Sequence, residues 1–267
     1  MKTETLVAAV IACVGLSSLV GCVSAPNPSF PVSTREAKQD LKRMSDDPQP
    51  LERPLVILAG WGDPGVADKH VQKRLSPVFD DDRIIRISFG GAGTFDECRD
   101  RVITAIDEAF PSDDPAWTIE VDVVANSMGG LIARYASDPE SGERTVRIAR
   151  LYTISTPFLG ADMARIGGLQ ILLDMKPGSD FIQTLNSPDK PFDYEVIPYV
   201  RLGDQWIGED NAAPPGMNPY WVSGQFMSPS HLFAYKDARI LADIARRLRE
   251  ETPFTTPPAT PLPYQDD

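Results

Sequence analysis

The stretch VDVVANSMGGLIARY, Val121–Tyr135, places a polar pair and two glycines directly after an apolar run. Its first part predicts a buried β-strand, and its last part predicts a helix with apolar residues on one side. Ser127 stands between them, at the apex of a sharp turn. A strained turn of this kind brings backbone segments close together, so the residues two positions before and after the serine must be small. Alanine and glycine occupy those positions, which favours an exposed, reactive serine.

Apolar runs alternate with amphipathic stretches along most of the chain. Strands are predicted at Leu55–Ala59, Arg83–Phe89, Ile119–Ala125, Ile148–Ser155, Tyr194–Leu202 and, with a weaker pattern, Tyr220–Phe226. Helices are predicted at Val66–Val78, Thr94–Phe110, Met128–Ala136, Ala161–Leu173 and Leu232–Arg249. Strands that are apolar throughout and alternate with helices are typical of an α/β fold, with a mostly parallel sheet of about six strands and helices on both faces.

A serine nucleophile needs a base, and the chain contains only two histidines. In α/β sheets with a serine at such a turn, the chain order is Ser, then Asp or Glu, then His. His231 follows Ser127 and is the predicted base. His70 precedes the serine within a charged helical stretch, and we expect it to be a surface residue.

The acid of such a triad is expected between the serine and the base, at the end of a strand. Asp204 follows the predicted strand Tyr194–Leu202 and is the preferred acid, because a strand end is better fixed than a loop. Glu209 and Asp210 lie a few residues further on and are the alternatives.

Two backbone amides are candidates for stabilising an oxyanion. The N–H of Met128 lies at the start of the helix after the serine, where the helix dipole favours negative charge. The second donor should come from the loop after the first strand. Trp61 is the candidate there, with Gly62 as the second choice, because the flanking glycines allow the backbone N–H groups to turn towards the serine.

The turn Ala125–Gly129, together with Leu55–Gly62, Tyr152–Gly160 and Met175–Asn186, resembles the α/β-hydrolase superfamily, and within it the small bacterial lipases and esterases. The resemblance covers roughly Pro54–Arg249. It implies an α/β-hydrolase fold and hydrolysis of carboxylic esters through an acyl-enzyme, with Ser127, His231 and Asp204 as the triad.

Three departures from the family pattern leave the subfamily open. Ala59, Asn126 and Phe158 stand where many relatives have histidine. None of them removes a member of the triad, so they bear on the substrate rather than on the reaction.

The first residues, MKTETLVAAVIACVGLSSLVGCVSAP, have the pattern of a targeting segment. A lysine precedes an apolar core that is too short to span a membrane. The end of this core, Leu19–Cys22, resembles the lipobox of bacterial lipoproteins, which implies cleavage before Cys22 and its acylation. Valine rather than aspartate follows the cysteine, and by resemblance this favours the outer membrane, facing the periplasm.

These features divide the chain into four parts. Residues 1–21 are expected to be a lipoprotein signal peptide, residues 22–53 a lipid-anchored tether, residues 54–250 the α/β-hydrolase domain, and residues 251–267 a disordered proline-rich tail.

The composition excludes several classes of function. The formal charge of −12 argues against nucleic-acid binding. Neither histidine has a cysteine or carboxylate at ligand-like spacing, so we expect no metal and no other cofactor. The expected partners are a hydrophobic ester or lipid substrate and a membrane reached through Cys22, with no obligate protein partner. Two alternatives remain open: a non-catalytic envelope lipoprotein with this fold, and an acyltransferase or amidase with the same triad.

Overall fold

The structure is a computed structural model and describes residues 27–166, 168–224 and 229–264. The predicted signal peptide and Cys22 lie outside the described residues, as does the end of the weakest predicted strand at residues 225–228.

One parallel sheet organises the molecule. Its strands are β1 (Leu55–Leu58), β2 (Ile84–Ile87), β3 (Val121–Asn126), β4 (Ile148–Ile154), β5 (Glu195–Arg201) and β6 (Tyr220–Val222). They are arranged in the order β2-β1-β3-β4-β5-β6, and every neighbouring pair is parallel. The predicted mostly parallel sheet of about six strands is confirmed.

Helices cover both faces of this sheet. They are α1 (Thr34–Asp46), α2 (Ala67–Leu75), α3 (Phe95–Ala109), α4 (Met128–Ala136), α5 (Gln170–Asp174), α6 (Asp180–Leu185), α7 (Ser230–Ala234) and α8 (Ala238–Leu248). In the described ranges, no helix is long and apolar enough to cross a membrane.

The two helical layers explain why the strands are apolar throughout. Successive side chains of a strand point to opposite faces of a sheet. In β1, Val56 and Leu58 enter the core beneath α3 and α4, whereas Leu55 and Ile57 enter the core beneath α1, α2 and α8. All four residues are buried, so neither face of the strand can carry polar side chains without losing apolar packing.

Two predicted helices are interrupted. The predicted helix Leu232–Arg249 is split into α7 and α8: α7 ends at its C-cap Tyr235, and Asp237 caps the start of α8 by accepting from the Arg239 N–H. The predicted helix Ala161–Leu173 is replaced by a 3₁₀ segment, Asp162–Ile166, and by the short α5. The sequence has two consecutive glycines between them, and glycine is a poor helix former.

The expectation that residues 22–53 form a tether is wrong for the described part, which begins at Asn27. Helix α1 packs against α8, with Ala37 and Met44 fully buried. Ahead of it, the Asn27 side chain donates to the Trp221 carbonyl at 2.6 Å. The charged and proline-rich composition suggested a linker, but the buried face of α1 contributes to the core, so residues 27–53 belong to the domain.

The expectation of a disordered tail from residue 251 is also wrong, as far as residue 264. Leu262 is 1 % exposed, and the Trp221 indole N–H donates to the carbonyls of Thr260 and Pro261 at 3.1 and 3.0 Å. Thr255 donates from its N–H and its hydroxyl to the buried Asp243 carboxylate at 2.8 and 2.7 Å. Proline residues lack an N–H donor but keep their carbonyl acceptors, and a chain stiffened by proline loses less entropy when it docks.

Candidate active site

The turn after β3 holds Ser127 in a strained backbone conformation. Its φ is +52° and its ψ is −126°, a region that residues other than glycine rarely adopt. Neighbouring groups hold it there: the Ser127 N–H donates to the Ile154 carbonyl at 2.8 Å, and the Thr156 hydroxyl donates to the Ser127 carbonyl at 2.8 Å. The turn directs the chain from β3 into α4 with the serine at its apex, as the sequence predicts.

The residues around this turn must be small because neighbouring atoms lie too close for a larger side chain. A methyl group on Gly129 would lie 2.6 Å from the Ala59 carbonyl oxygen, and one on Gly130 would lie 2.2 Å from the Thr156 hydroxyl. Helix α4 can therefore approach β1 and the β4 exit only because these positions carry no side chain.

Replacing Gly129 by alanine is expected to destabilise the protein by about 1–3 kcal/mol, because the added methyl group collides with rigid backbone. Chemical denaturation of the variant measures this loss. Gly90→Ala is the matched control, since a methyl group there meets no atom within 4 Å and the backbone φ is not positive. The control should change the free energy of unfolding by less than about 0.5 kcal/mol. Equal losses in both variants would contradict the steric explanation.

His231 lies between Ser127 and Asp204. Its Nε2 is 3.0 Å from the Ser127 Oγ, and its Nδ1 is 2.9 and 3.1 Å from the two carboxylate oxygens of Asp204. His231 is buried in helix α7, and Asp204 is 1 % exposed. An ionised carboxylate can only accept, so Nδ1 carries the proton and the lone pair of Nε2 faces the serine hydroxyl. Residues 104 and 27 positions apart in sequence thus form one hydrogen-bonded chain.

Of the three candidate acids, the structure brings Asp204 to the imidazole. Glu209 instead contacts the backbone of the same loop, where its Oε1 accepts from the N–H groups of Gly203 and Asp204. Burial, with the nearby Asp204 charge contributing, raises the pKa of Glu209 above its usual value. Asp210 is exposed in a 3₁₀ turn. Both ring nitrogens of His231 already have partners, Asp204 and Ser127, and neither alternative carboxylate takes their place.

The loop after β1 lies directly against the serine. The Cβ of Ser127 would be 3.0 Å from a methyl group on Gly60, so the two backbone segments are in close contact here. Trp61 lines the same pocket as Ser127, and Met128 provides the first amide of α4, which has no carbonyl partner within the helix. The structure therefore places both predicted oxyanion residues beside the nucleophile. Gly62, the second choice, follows with a φ of +66°.

Ser127 and His231 open into an apolar pocket of about 330 Å³. The remaining lining residues are hydrophobic: Trp61, Pro157, Ala161, Met163, Ala164, Leu172, Met175, Trp206 and Ile207. Such a pocket suits the hydrocarbon part of a ligand and leaves the serine and the imidazole as the polar groups that contact it.

Trp206 has a role that the sequence alone does not distinguish from ordinary packing. Its indole ring stacks on the imidazole of His231, with ring centroids 5.1 Å apart and planes inclined by 21°. Its backbone N–H donates to the Asp204 Oδ1 at 3.2 Å, and its carbonyl accepts from the Met163 N–H at 3.0 Å. One residue therefore contacts the base, the acid and the pocket wall. In the sequence, the only indication of this arrangement is that an aromatic residue stands two positions after Asp204.

No group of three or more histidine, cysteine or carboxylate side chains is arranged to hold a metal among the residues that the structure describes. Cys98 lies outside the site, and burial raises the pKa of its thiol to about 11, which keeps it protonated.

Comparisons with known proteins concern the fold. No family model and no curated protein matches the chain. Among solved structures, Aspergillus fumigatus lipase B is similar with a TM-score of 0.52 and 13 % identity, over 79 % of this chain and 55 % of that one. The chain has the α/β-hydrolase fold. Bacillus licheniformis lipase BlEst2 (TM-score 0.49, 15 % identity, 79 % of this chain, 95 % of that one) and the metagenomic carboxyl esterase MGS0156 (0.49, 14 %, 76 % and 77 %) are also similar.

The α/β-hydrolase fold accounts for the assembly of the site. Ser127 follows β3, Asp204 follows β5, and His231 lies beyond β6. Carboxyl ends of parallel strands meet at one edge of the sheet, where loops from different strands can bring their side chains together. The order Ser, Asp, His along the chain is the order expected for this fold.

Proposed function

We propose that the protein is a serine hydrolase that cleaves carboxylic esters through an acyl-enzyme. The observation that carries the proposal is the continuous hydrogen-bonded chain from Ser127 through His231 to Asp204, with its nucleophilic end open to an apolar pocket. Aspergillus fumigatus lipase B, whose fold is similar, is a lipase, which agrees with the proposal.

The geometry supports the following two-step reaction. The Ser127 Oγ attacks the ester carbonyl while Nε2 of His231 takes the hydroxyl proton, and the N–H groups of Met128 and Trp61 stabilise the oxyanion. Nε2 then gives the proton to the leaving alcohol, and the acyl group stays on Ser127. Water attacks this ester, its proton passes to Nε2 and then to Ser127, and the carboxylic acid leaves. Asp204 holds the ring and stabilises the imidazolium throughout.

The pocket indicates that the acyl or alkyl part of the substrate is hydrophobic. Among the described residues that line it, only Ser127 and His231 present a catalytic polar group, and no carboxylate, lysine or arginine is present to recognise a charged one. We therefore propose a lipid or another hydrophobic ester as the substrate class.

We also propose that the enzyme is anchored through acylated Cys22 to the outer membrane of a bacterial envelope, facing the periplasm. The lipobox-like Leu19–Cys22 and the valine that follows support this placement. Metabolic labelling with an alkyne-bearing fatty acid, compared between the full chain and Cys22→Ser, tests it.

A panel of p-nitrophenyl esters from acetate to palmitate tests the proposed reaction. Transfer of one methylene from water into the pocket is favourable by about 0.8 kcal/mol. We therefore expect kcat/KM to rise about fourfold for each added methylene until the pocket is full. Absence of turnover across the panel in a folded sample would contradict the proposal and favour a non-catalytic lipoprotein. Turnover that requires an added alcohol or amine would favour an acyltransferase.

Replacing Trp206 by alanine is expected to lower kcat, because the indole face stabilises the imidazolium that forms in both steps. Contacts of this kind contribute about 0.5–2 kcal/mol, which corresponds to a loss of about 2- to 30-fold. Trp206→Phe keeps an aromatic face and should lose less. Steady-state kinetics separates the possibilities: a change in KM alone would show that Trp206 acts only as a pocket wall.

A further inference from the structure

A group of basic side chains lies on the helical layer formed by α1, α2 and α8, and none of them lines the Ser127 pocket. We call it the basic face; its members are Arg35, Lys38, Lys42, Lys73, Arg74 and Lys236. They line two adjoining depressions of about 480 and 490 Å³, which share Lys38 and Lys42. The first depression runs between the three helices, and the second lies along the outer side of α1.

Helix α1 shows how the sequence builds this face. Arg35, Lys38 and Lys42 follow one another at spacings of three and four residues, so they lie on one side of the helix. The other side carries the buried Ala37 and Met44. The stripe from Arg35 to Lys42 covers seven residue steps, about 11 Å of helix, so it can contact neighbouring lipid headgroups.

Few carboxylates neutralise the basic face. Lys42 pairs with Asp46 at 2.7 Å, and both side chains are largely exposed. The buried carboxylates of the same helices are occupied elsewhere: Asp40 by Arg43 and Arg246, and Asp68 by Arg86.

Two further acids on the same elements are also engaged. Glu36 caps the start of α1 together with Ser33, and Asp237 pairs with Arg239. Over the described ranges, Lys38, Lys73, Arg74 and Lys236 have no carboxylate partner. This concentration of positive charge stands out in a chain of net charge −12.

The pKa of His70, which lies in α2 beside these residues, is affected by the charge of the basic face. Its ring packs edge-on against Tyr235, with centroids 5.8 Å apart. Burial lowers the pKa of His70, and Arg74, Lys236 and Lys73 lower it further by repelling the protonated ring. Three members of the basic face are therefore close enough to one another to affect the same imidazole.

We propose that the basic face docks on a bilayer that contains anionic phospholipids. Charge complementarity is the first argument: juxtamembrane basic clusters bind such surfaces, and the interaction is confined to about one Debye length, so distant acidic residues matter little. The second argument is chain length, and it rests on the proposed acylation of Cys22. Asn27 follows Cys22 by five residues, which span at most about 18 Å, and α1 begins seven residues later.

The docked orientation would bring helix α7, which carries His231, close to the lipid. Lys236 contacts the ring of Phe233, with Nζ 4.9 Å from the centroid. Phe233 and its neighbour Leu232 are each 41 % exposed and directly follow His231 in α7. The basic face therefore adjoins two exposed apolar side chains that follow His231 in sequence. Headgroup binding by the basic face can place these side chains against the acyl region of the bilayer.

Vesicle co-sedimentation tests the proposal. The chain is expressed from Val23, which removes Cys22 and keeps every packed residue from Asn27 onward. We expect it to bind vesicles of phosphatidylcholine with phosphatidylglycerol, to bind pure phosphatidylcholine weakly, and to dissociate as salt is raised. Equal binding to both vesicles, or binding that is independent of salt, would overturn the proposal.

A double charge reversal locates the binding surface. Lys38→Glu with Lys73→Glu should lower the partition coefficient by at least about 25-fold, because each basic residue near an anionic surface contributes about fivefold. Arg147→Glu with Lys176→Glu is the matched control, with the same change in net charge at positions outside the basic face, and it should change binding less than the first pair does. Equal losses in the two doubles would overturn the assignment.

Hydrolysis of a soluble p-nitrophenyl ester by the same samples separates this proposal from the proposed function. Both doubles should retain the activity of the parent chain, since none of the four residues lines the pocket. Full hydrolysis without vesicle binding would overturn the docking proposal alone. Vesicle binding without hydrolysis would overturn the proposed function alone.

Discussion

Replacing Ser127 by alanine is expected to lower kcat/KM for the best ester by about 10⁴- to 10⁶-fold. The variant loses the nucleophile, so the acyl-enzyme cannot form, and His231 retains no hydroxyl from which to accept a proton. The strained turn should persist, because the backbone contacts of Ser127 with Ile154 and Thr156 do not involve its side chain. Steady-state kinetics and labelling by a fluorophosphonate probe measure the loss.

Ser155 provides a matched control. It follows β4 with the same φ of +52°, but it is fully buried and its hydroxyl has no hydrogen-bond partner among the described residues. Ser155→Ala should therefore leave hydrolysis and labelling close to those of the parent. Labelling that survives Ser127→Ala, or that disappears in Ser155→Ala, would contradict the assignment of the nucleophile.

Replacing Asp204 by asparagine is expected to lower kcat by about 10⁴-fold, the size of effect seen when a triad aspartate becomes an amide. An asparagine amide can donate to Nδ1 of His231, which would move the ring proton to Nε2. That nitrogen would then face the Ser127 hydroxyl with a proton instead of a lone pair, and it could not act as the base. The pH profile of kcat, measured together with the stability of the variant, separates a lost base from a lost fold.

Glu209→Gln makes the same chemical change a few residues away. The amide oxygen can still accept from the N–H groups of Gly203 and Asp204, and the variant removes a carboxyl whose charged form is disfavoured by burial. We expect a loss of less than about tenfold, since Glu209 acts only on the loop that carries Asp204. A large loss in Glu209→Gln with little change in Asp204→Asn would reverse the assignment of the acid.

The serine turn was predictable because its signals are local. A buried strand, small residues around one serine and an amphipathic helix lie within fifteen consecutive residues, and each reflects a steric requirement of the turn itself. The parallel sheet was predictable for a related reason: strands covered on both faces must be apolar throughout, and residues such as those of β1 show that pattern directly.

The carboxylate that contacts His231 could not be identified from the local sequence. Asp204, Glu209 and Asp210 are all polar residues that follow one strand, and their sequence contexts differ little. The choice depends on which carboxylate lies within hydrogen-bond distance of His231, and that distance is set by the loop between β5 and β6 and by α7. The stacking of Trp206 on the imidazole depends on the same packing.

The segments before β1 and after α8 also could not be assigned from the sequence alone. Charge and proline content suggested that residues 22–53 and 251–267 do not pack, yet α1 packs against α8 and Leu262 is buried near Trp221. Composition describes the average tendency of a segment to bury surface, whereas docking depends on whether a complementary surface exists elsewhere in the fold.

The sequence by itself determined the α/β architecture, the serine turn and the histidine that completes it, because each follows from periodicity, steric limits or the scarcity of a residue type. The tertiary structure decided which carboxylate contacts His231, what lines the pocket, and that residues 27–53 and 251–264 pack with the rest of the described chain. Those features depend on distances between segments that lie far apart along the chain, and such distances are fixed only when the whole core has packed.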